Sequence, residues 1–459
     1  MDEIILLRNK GVDINNDNEL LKYANNQDLY IYYRNKLRYY EKIGVSYPGI
    51  REEQGVSTLE ASLVDYLFYH SPNIVFEVTE SCNMSCKYCV YGDLYKKEDR
   101  TNRQLRSSQM IAAIKQFIRG RSGQLSVGFY GGEPLLSFNA IKEVVNQFQR
   151  EESSGLIKWR ITTNATLLNE EVARFFIRHN FSVLISLDGD AECNAYRVYK
   201  DGRQTFNDVI YNIGRMRTLD PAFFQNNVRF NSVLHNKNSV KKIYDFFSKE
   251  FEVIPSISEL TNINREASNN EFAEIAISSA SSHSTAGEIT FDTSPQKRML
   301  YSLLRFSTPN YFRSLSYLFK NNPVFRMNSG DIIPSGTCLP FQKKIFISSQ
   351  GDIKPCEKIP IRFSLGFADD NGMHIDSNHI AAFYNSIYKR IWNNCQDCKI
   401  RSNCNVCTFY LDGVLDANKQ LNCQYYKDES DYSKITSQLI EMIETNYSLY
   451  LNCINTIIE

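Results

Sequence analysis

What this sequence lacks narrows it first. No apolar run approaches the about 18 residues that a membrane-spanning helix needs, so no transmembrane segment is expected. The opening residues Met1-Asp2-Glu3-Ile4 lack the basic start and apolar stretch of a secretory signal, which makes the cytoplasm the expected location. Neither charge is in excess: 52 Lys and Arg stand against 52 Asp and Glu. That neutrality removes the simplest argument for a nucleic-acid or anionic-membrane partner, and neither is expected. Histidines are few, six in 459 residues, and none forms an HxxxH or HxH pair. A histidine-built metal site is therefore disfavoured. The remaining composition, 42% hydrophobic and 23% charged, is that of a globular protein long enough for two or three domains.

Cysteine, by contrast, is plentiful and clustered. Twelve cysteines would suit a disulfide scaffold only in a short secreted chain. Clusters in a long chain without a secretion signal point to metal held by thiolates, which favours zinc or iron–sulfur clusters. The first cluster is Cys82-Asn83-Met84-Ser85-Cys86-Lys87-Tyr88-Cys89. Three thiolates in eight residues can hold three corners of a cubane and leave one metal position open. A zinc knuckle completed by a distant ligand is the competing reading.

From Ile74 onward, β-branched apolar runs alternate with helical patterns. Strands are expected at 74–78, 125–130, 157–162, 182–187, 228–234 and, less clearly, 253–257. Helices are expected at 108–118, 140–148, 169–178, 206–216 and 239–250. The rhythm predicts an α/β fold with a parallel sheet, either doubly wound or a partial barrel, with its chemistry at the C-terminal strand ends. Residues 1–72 break the rhythm; Leu29–Tyr33 and Lys36–Tyr40 read as a hairpin with an available edge.

The CxxxCxYC loop behind the first strand resembles the radical S-adenosylmethionine (SAM) superfamily. Gly131-Gly132-Glu133-Pro134, after the second strand, resembles that family's GGEP motif, which holds the SAM amino group. Thr163-Asn164-Ala165 resembles its TNG, with alanine for glycine. Ser186-Leu187-Asp188-Gly189 resembles its S-x-D-G, with Arg197 following. The family's intervening histidine is absent, where Cys193-Asn194 stands. The resemblance implies that Ser186 and Arg197 contact the SAM carboxylate, that Leu234 of Val233-Leu234 covers adenine, and that Tyr88 stacks nearby. It implies a [4Fe-4S] cluster on Cys82, Cys86 and Cys89, and a partial (β/α)6 TIM-like barrel.

Later cysteines follow a second pattern: Cys338-x12-Gly351-x4-Cys356, then Cys395-x2-Cys398-x5-Cys404-x2-Cys407, then Cys423. This resembles the SPASM domain, except that two residues rather than three separate Cys404 and Cys407. The resemblance implies one or two auxiliary [4Fe-4S] clusters: one on Cys338, Cys356 and Cys407, with an open iron, and one on Cys395, Cys398, Cys404 and Cys423. A structural zinc site at Cys395–Cys407 is the competing reading. Cys193 and Cys453 match no motif and read as free thiols. Glu357, next to Cys356, matches an acidic residue thought to take a proton from substrate in sulfatase-maturing relatives. It would need a raised pKa for that work.

The expected organisation is an N-terminal α+β extension over 1–72 that binds a leader peptide by strand addition. A barrel follows at 73–261, a bridge at 262–337, a SPASM domain at 338–430 and a C-terminal helix at 431–459. Tyr91–Tyr95 and Asn231–Asn236 resemble phrases of radical SAM peptide maturases. The resemblance implies crosslinking, C–C or C–S, of a ribosomally made precursor peptide, with a reductant such as flavodoxin or ferredoxin. Formylglycine formation by a sulfatase-maturing enzyme is the alternative, and a non-catalytic zinc adaptor is the alternative of another class.

Overall fold

The computed structural model describes residues 7, 11–24, 27–42, 58–96, 100–149 except 120 and 122, 155–261, 263, 265–266, 270–278, 282, 338–399, 406–411 and scattered positions from 413 to 434. The chain forms two compact units. One comprises Ala61–Glu288 and Cys338–Ile380; the other comprises Met1–Glu60, Ile289–Thr337 and Ala381–Glu459.

The first unit is built on the expected alternation. Strands β1 (Asn73–Thr79), β2 (Leu125–Gly131), β3 (Ile157–Thr163), β4 (Ser182–Ser186), β5 (Val228–Leu234) and β6 (Ser256–Glu259) pair in parallel, in chain order. Helices α4 (Ser107–Ile118), α5 (Phe138–Gln149), α6 (Glu170–Arg178), α7 (Phe206–Leu219), α8 (Pro221–Asn227) and α9 (Val240–Phe251) connect them. Strands β7 (Ile345–Ile347), β8 (Asp352–Lys354), β9 (Gly366–Asp369) and β10 (Gly372–Ile375) extend the sheet beyond β1. β7 pairs with β1 in parallel and the last three run antiparallel. The result is an unclosed, barrel-like parallel sheet.

Local chemistry sets several boundaries. Asn169 and Ser239, expected as first helical residues, are instead N-caps whose side chains accept from Val172 N at 2.9 Å and Lys242 N at 3.2 Å. Such caps satisfy backbone donors that the first helical turn leaves unpaired. The sixth strand begins at Ser256, three residues later than expected. Glu252 ends α9 with φ of 56°, and Pro255 lacks a ladder donor, so pairing starts after it. Phe230 of β5 packs on Phe247 and Phe251 of α9, at centroid distances of 4.9 and 4.7 Å. This is the helix-facing side of the sheet.

Two expectations need correction. The N-terminal hairpin is a helix: α2 (Gln27–Lys42) occupies that stretch, preceded by α1 (Asp17–Ala24), with α3 (Ala61–Tyr69) leading into β1. The aromatic residues suggested strands, but buried Tyr33 and Leu37 lie four apart, a helical stripe, and Arg34 pairs with Asp17 at 3.1 Å. Among the described residues the extension is thus α rather than α+β. Second, the boundary expected at 338 does not separate compact units, because Cys338–Ile380 supplies strands to the barrel sheet. Of the expected bridge, α10 (Glu271–Ile275) is described. Most of its remainder, and nearly all of the C-terminal helix, lie outside the described residues. α11 (Ser377–Cys395) buries Tyr384 and Tyr388, and Tyr384 meets Phe409 edge-on at 6.4 Å. No described helix is long and apolar enough to cross a membrane.

Candidate active site

The loop after β1 carries Cys82, Cys86 and Cys89, all partly buried. It is fixed by backbone bonds from Ser85 N to Val198 O at 2.8 Å and Lys87 N to Tyr196 O at 3.1 Å. A turn from Cys89 N to Cys86 O at 3.1 Å closes it. Burial pushes the Cys82 thiol up to about 11 and Cys86 up to about 12, and it raises Cys89 as well. The charges of Cys82 and Cys89 also raise Cys86. Among the described residues, no three His, Cys, Asp or Glu side chains are grouped to hold one metal ion as they stand. A four-iron cubane is broader than the zinc tetrahedron, with its bonds of about 2.3 Å, and holds thiolates farther apart. Binding a cationic centre reverses the pKa argument, because coordinated thiols lose their protons.

Gly131 and Gly132 back this loop. Gly132 N donates to Thr79 O at 2.8 Å and Glu133 N to Ser81 O at 2.9 Å. A Cβ on Gly131 would overlap the Thr79 carbonyl oxygen, and one on Gly132 that of Ser81. The glycines are therefore required by the cysteine loop itself, a reason the sequence alone does not reveal. Pro134 begins the short helical turn Pro134–Ser137. Glu133 is fully buried. Its Oε1 accepts from Thr163 Oγ1 at 2.7 Å and Leu135 N at 3.0 Å, and its Oε2 from Asn164 N at 2.7 Å. Burial pushes the carboxyl up to about 7 against those three hydrogen bonds. Glu133 thus clasps the ends of β2 and β3 together.

Asn164 extends the clasp to the cysteine loop, donating to Asn83 Oδ1 at 3.0 Å and lying 3.9 Å from Cys82 Sγ. Ala165, where the resembled motif has glycine, has φ of 60°, a conformation that strains an L-residue.

Asp188 is the centre of a second buried cluster. Oδ1 accepts from Arg197 at 3.0 Å and from Val233 N at 2.9 Å. Oδ2 accepts the Tyr88 hydroxyl and lies 3.5 Å from His235 Nε2. All four acceptor sites of the carboxylate are thereby directed at the protein. Burial alone would raise its pKa, but Arg197 and His235 hold it below the usual carboxylate range. Arg197 is 7% exposed, lies 5.4 Å from the Tyr88 ring centre and feels the Cys86 charge. Its Nε is buried with no hydrogen-bond partner. A buried guanidinium with an unused donor fits a carboxylate ligand beside the cysteine loop. Ser186 ends β4 in register with Asn231 and is half-buried.

Leu234 is fully buried and shares strand parity with helix-facing Phe230. Val233, half-buried, packs in the cluster that contains Tyr88 and Cys86. Of the two, Val233 rather than Leu234 is on the side of the cysteine loop. Tyr88 is stacked on His235, centroids 5.5 Å apart, so one face of its ring is already occupied.

Beside the cysteine loop lies a cavity of about 310 Å³, lined by Tyr91, Asp93, Arg100, Thr261 and Glu357, among others. Arg100 stacks on Tyr91 at 3.5 Å and pairs with Glu77 at 2.8 Å. Lys344 donates to Glu357; burial would raise the Glu357 pKa, but Lys344 overrides it and holds the group below the usual range. The raised pKa that general-base work requires is thus not what this arrangement produces.

The later cysteines divide between the two units. Cys338 and Cys356 belong to the barrel unit, and Cys395, Cys398, Cys407 and Cys423 to the other. Gly351 forms the β7–β8 turn with φ of 92°, where a Cβ would lie 2.7 Å from Ala368 O. In the other unit, Cys398 N donates to Cys395 O at 3.0 Å. The Cys423 thiol is raised by burial and by the charge of Cys398. Cys404 and Cys453 lie outside the described residues.

His235, Arg100 and Asn83 are site residues that motif reading missed. His235 had a signal: it directly follows Val233-Leu234 at the end of β5.

Residues 76–246 match the Radical SAM superfamily model. A cysteine-type anaerobic sulfatase-maturating enzyme of Clostridium novyi is 26% identical over 392 residues, covering 79% of this chain and 96% of that protein. The radical SAM cyclopropyl synthase TigE of Paramaledivibacter caminithermalis is 25% identical over 184 residues, and the chain spans only 36% of its length. The solved structure of anSMEcpe with bound AdoMet superposes with a TM-score of 0.55 at 19% identity, covering 84% of this chain and 99% of that one. The same protein is also solved with AdoMet and the Cp18Cys peptide, again at a TM-score of 0.55. The family's cofactors are SAM and a [4Fe-4S] cluster, which sets aside the non-catalytic zinc adaptor. Residues 76–246 are a radical SAM domain, and the chain that carries it is a radical SAM enzyme.

Proposed function

We propose that this enzyme modifies a ribosomally made precursor peptide, forming a C–C or C–S crosslink, with electrons from a donor such as flavodoxin or ferredoxin. The carrying observation is the cavity of about 310 Å³ beside the loop that bears Cys82, Cys86 and Cys89, a size suited to one or two side chains. Cys82, Cys86 and Cys89 would hold the cluster, and Arg197 and Ser186 the SAM carboxylate. Bound there, the two cofactors supply a 5′-deoxyadenosyl radical that removes hydrogen from a substrate carbon. The protein's part is orientation and exclusion of water. Cys395, Cys398, Cys404 and Cys423 would hold an auxiliary cluster.

A second reading, oxidation of Cys or Ser to formylglycine, is supported by the near full-length alignment with the sulfatase-maturating enzyme. Against it stands Glu357, which Lys344 holds ionised and so weakly basic. Leader binding by strand addition loses its support, since the N-terminal stretch is helical among the described residues. The reconstituted enzyme, given candidate precursor and sulfatase-type peptides under anaerobic reduction, distinguishes the readings by mass spectrometry. Loss of two hydrogens with a macrocyclic fragmentation pattern is the expected result. An aldehyde product overturns it in favour of formylglycine formation.

A further inference from the structure

We propose that His235 is a positioning residue for SAM: it locks Asp188, and through Asp188 it orients the Arg197 guanidinium. This rests on the assignment of Arg197 to the SAM carboxylate. His235 is fully buried at the end of β5, stacked on Tyr88 and edge-on to Tyr196 at 4.8 Å. The backbone N–H at one ring nitrogen assigns the proton to the other. Lys237 N–H points at Nδ1 at 3.2 Å, and a backbone N–H can only donate, so Nδ1 accepts. A ring whose Nδ1 accepts carries its proton on Nε2, which faces Asp188 Oδ2 at 3.5 Å. Asn238 holds the residue in place: its Oδ1 accepts from His235 N at 2.9 Å, its Nδ2 donates to Val233 O at 2.9 Å, and that same Nδ2 lies 3.2 Å from His235 Nε2.

Asp188 depends on this arrangement because its four acceptor sites are shared among four elements of the site. Tyr88 lies on the cysteine loop, Arg197 beyond β4, Val233 on β5 and His235 at its end. With the Nε2–H removed, Oδ2 keeps only the Tyr88 hydroxyl, and the carboxylate is free to rotate toward it. Arg197 would then lose the acceptor that aims its unpaired Nε. His235 is itself fully buried, and its route to the ligand runs through Asp188 and Arg197 to the carboxylate end.

The test compares binding of SAM and of decarboxylated SAM to the reconstituted holoenzyme, with iron content measured for each variant. His235→Phe keeps the stacked ring and removes the nitrogens; His235→Leu serves if phenylalanine does not fit. The expected result is about tenfold weaker SAM binding, the loss of roughly one charge-assisted hydrogen bond, with decarboxylated SAM unaffected. His235→Gln, which restores an N–H, should recover SAM binding. Equal weakening of both ligands, or no weakening, overturns the proposal. Arg197→Ala separates the two levels. If it fails to weaken SAM selectively, the carboxylate assignment of Arg197 falls and the proposal with it. If it does so while His235→Phe does not, only the role of His235 falls.

Discussion

The two carboxylates that the motifs bring to the strand ends, Glu133 and Asp188, are both turned into the protein. Each is fully buried and each ties together elements that carry other site residues. They differ in electrostatic setting. Asp188 has Arg197 beside it and stays ionised, whereas burial pushes Glu133 to about 7, above its ordinary 4.5. Between pH 4.5 and 7 the folded chain therefore holds a proton that the unfolded chain releases. Glu133 thus contributes stability below pH 4.5 that is lost as pH rises toward 7, by at most about 1.4 kcal/mol per pH unit. Denaturant unfolding at pH 5 and pH 7 should show this slope in the parent and not in Glu133→Gln; equal slopes would refute it. Gly132 gives a sharper steric prediction. In Gly132→Ala the new methyl meets the Ser81 carbonyl and displaces the residue next to Cys82. Iron content and SAM cleavage should both fall at least about tenfold, while Gly123→Ala, with open space around it, should retain both.

At the scale of elements, periodicity carried most of the fold. Five of the six barrel strands lie within a residue or two of their expected places, because each is a short apolar run bounded by turn chemistry. The misplaced sixth depended on where α9 ends, a left-handed residue that no hydrophobic pattern reports. The N-terminal helices were misread because aromatic composition was weighed above the four-residue spacing of Tyr33 and Leu37. The motif residues gather at the strand ends, but what the motifs could not convey was orientation: which of Val233 and Leu234 is on the side of the cysteine loop, or that His235 closes on Asp188. Those depend on strand parity and on contacts between segments distant in sequence. One element-level prediction isolates a cap from the site. Asn169→Ala removes the acceptor for Val172 N at the start of α6 and should lower stability by about 1 kcal/mol. Denaturant unfolding measures this, iron content should not change, and Asn169→Asp should restore the loss.

At the scale of the whole molecule, the cysteines are partitioned as the chain is. Cys82, Cys86 and Cys89 lie in the barrel unit with Arg197 and the cavity, while Cys395, Cys398 and Cys423 lie in the other unit. If radical generation needs only the barrel's own residues, the two functions separate by mutation. Cys86→Ala removes a thiol from the loop that faces Arg197 and should abolish SAM cleavage under reduction. Cys398→Ala removes a thiol of the second cysteine group and should lower iron content while leaving SAM cleavage within about threefold of the parent, yet stop turnover of the peptide. Measuring 5′-deoxyadenosine and modified peptide in the same reaction reads both effects at once. Full SAM cleavage in Cys86→Ala would remove the cluster from that loop. Loss of SAM cleavage in Cys398→Ala at unchanged thermal stability would show that the second unit takes part in starting the radical, not only in the radical's later chemistry on the peptide.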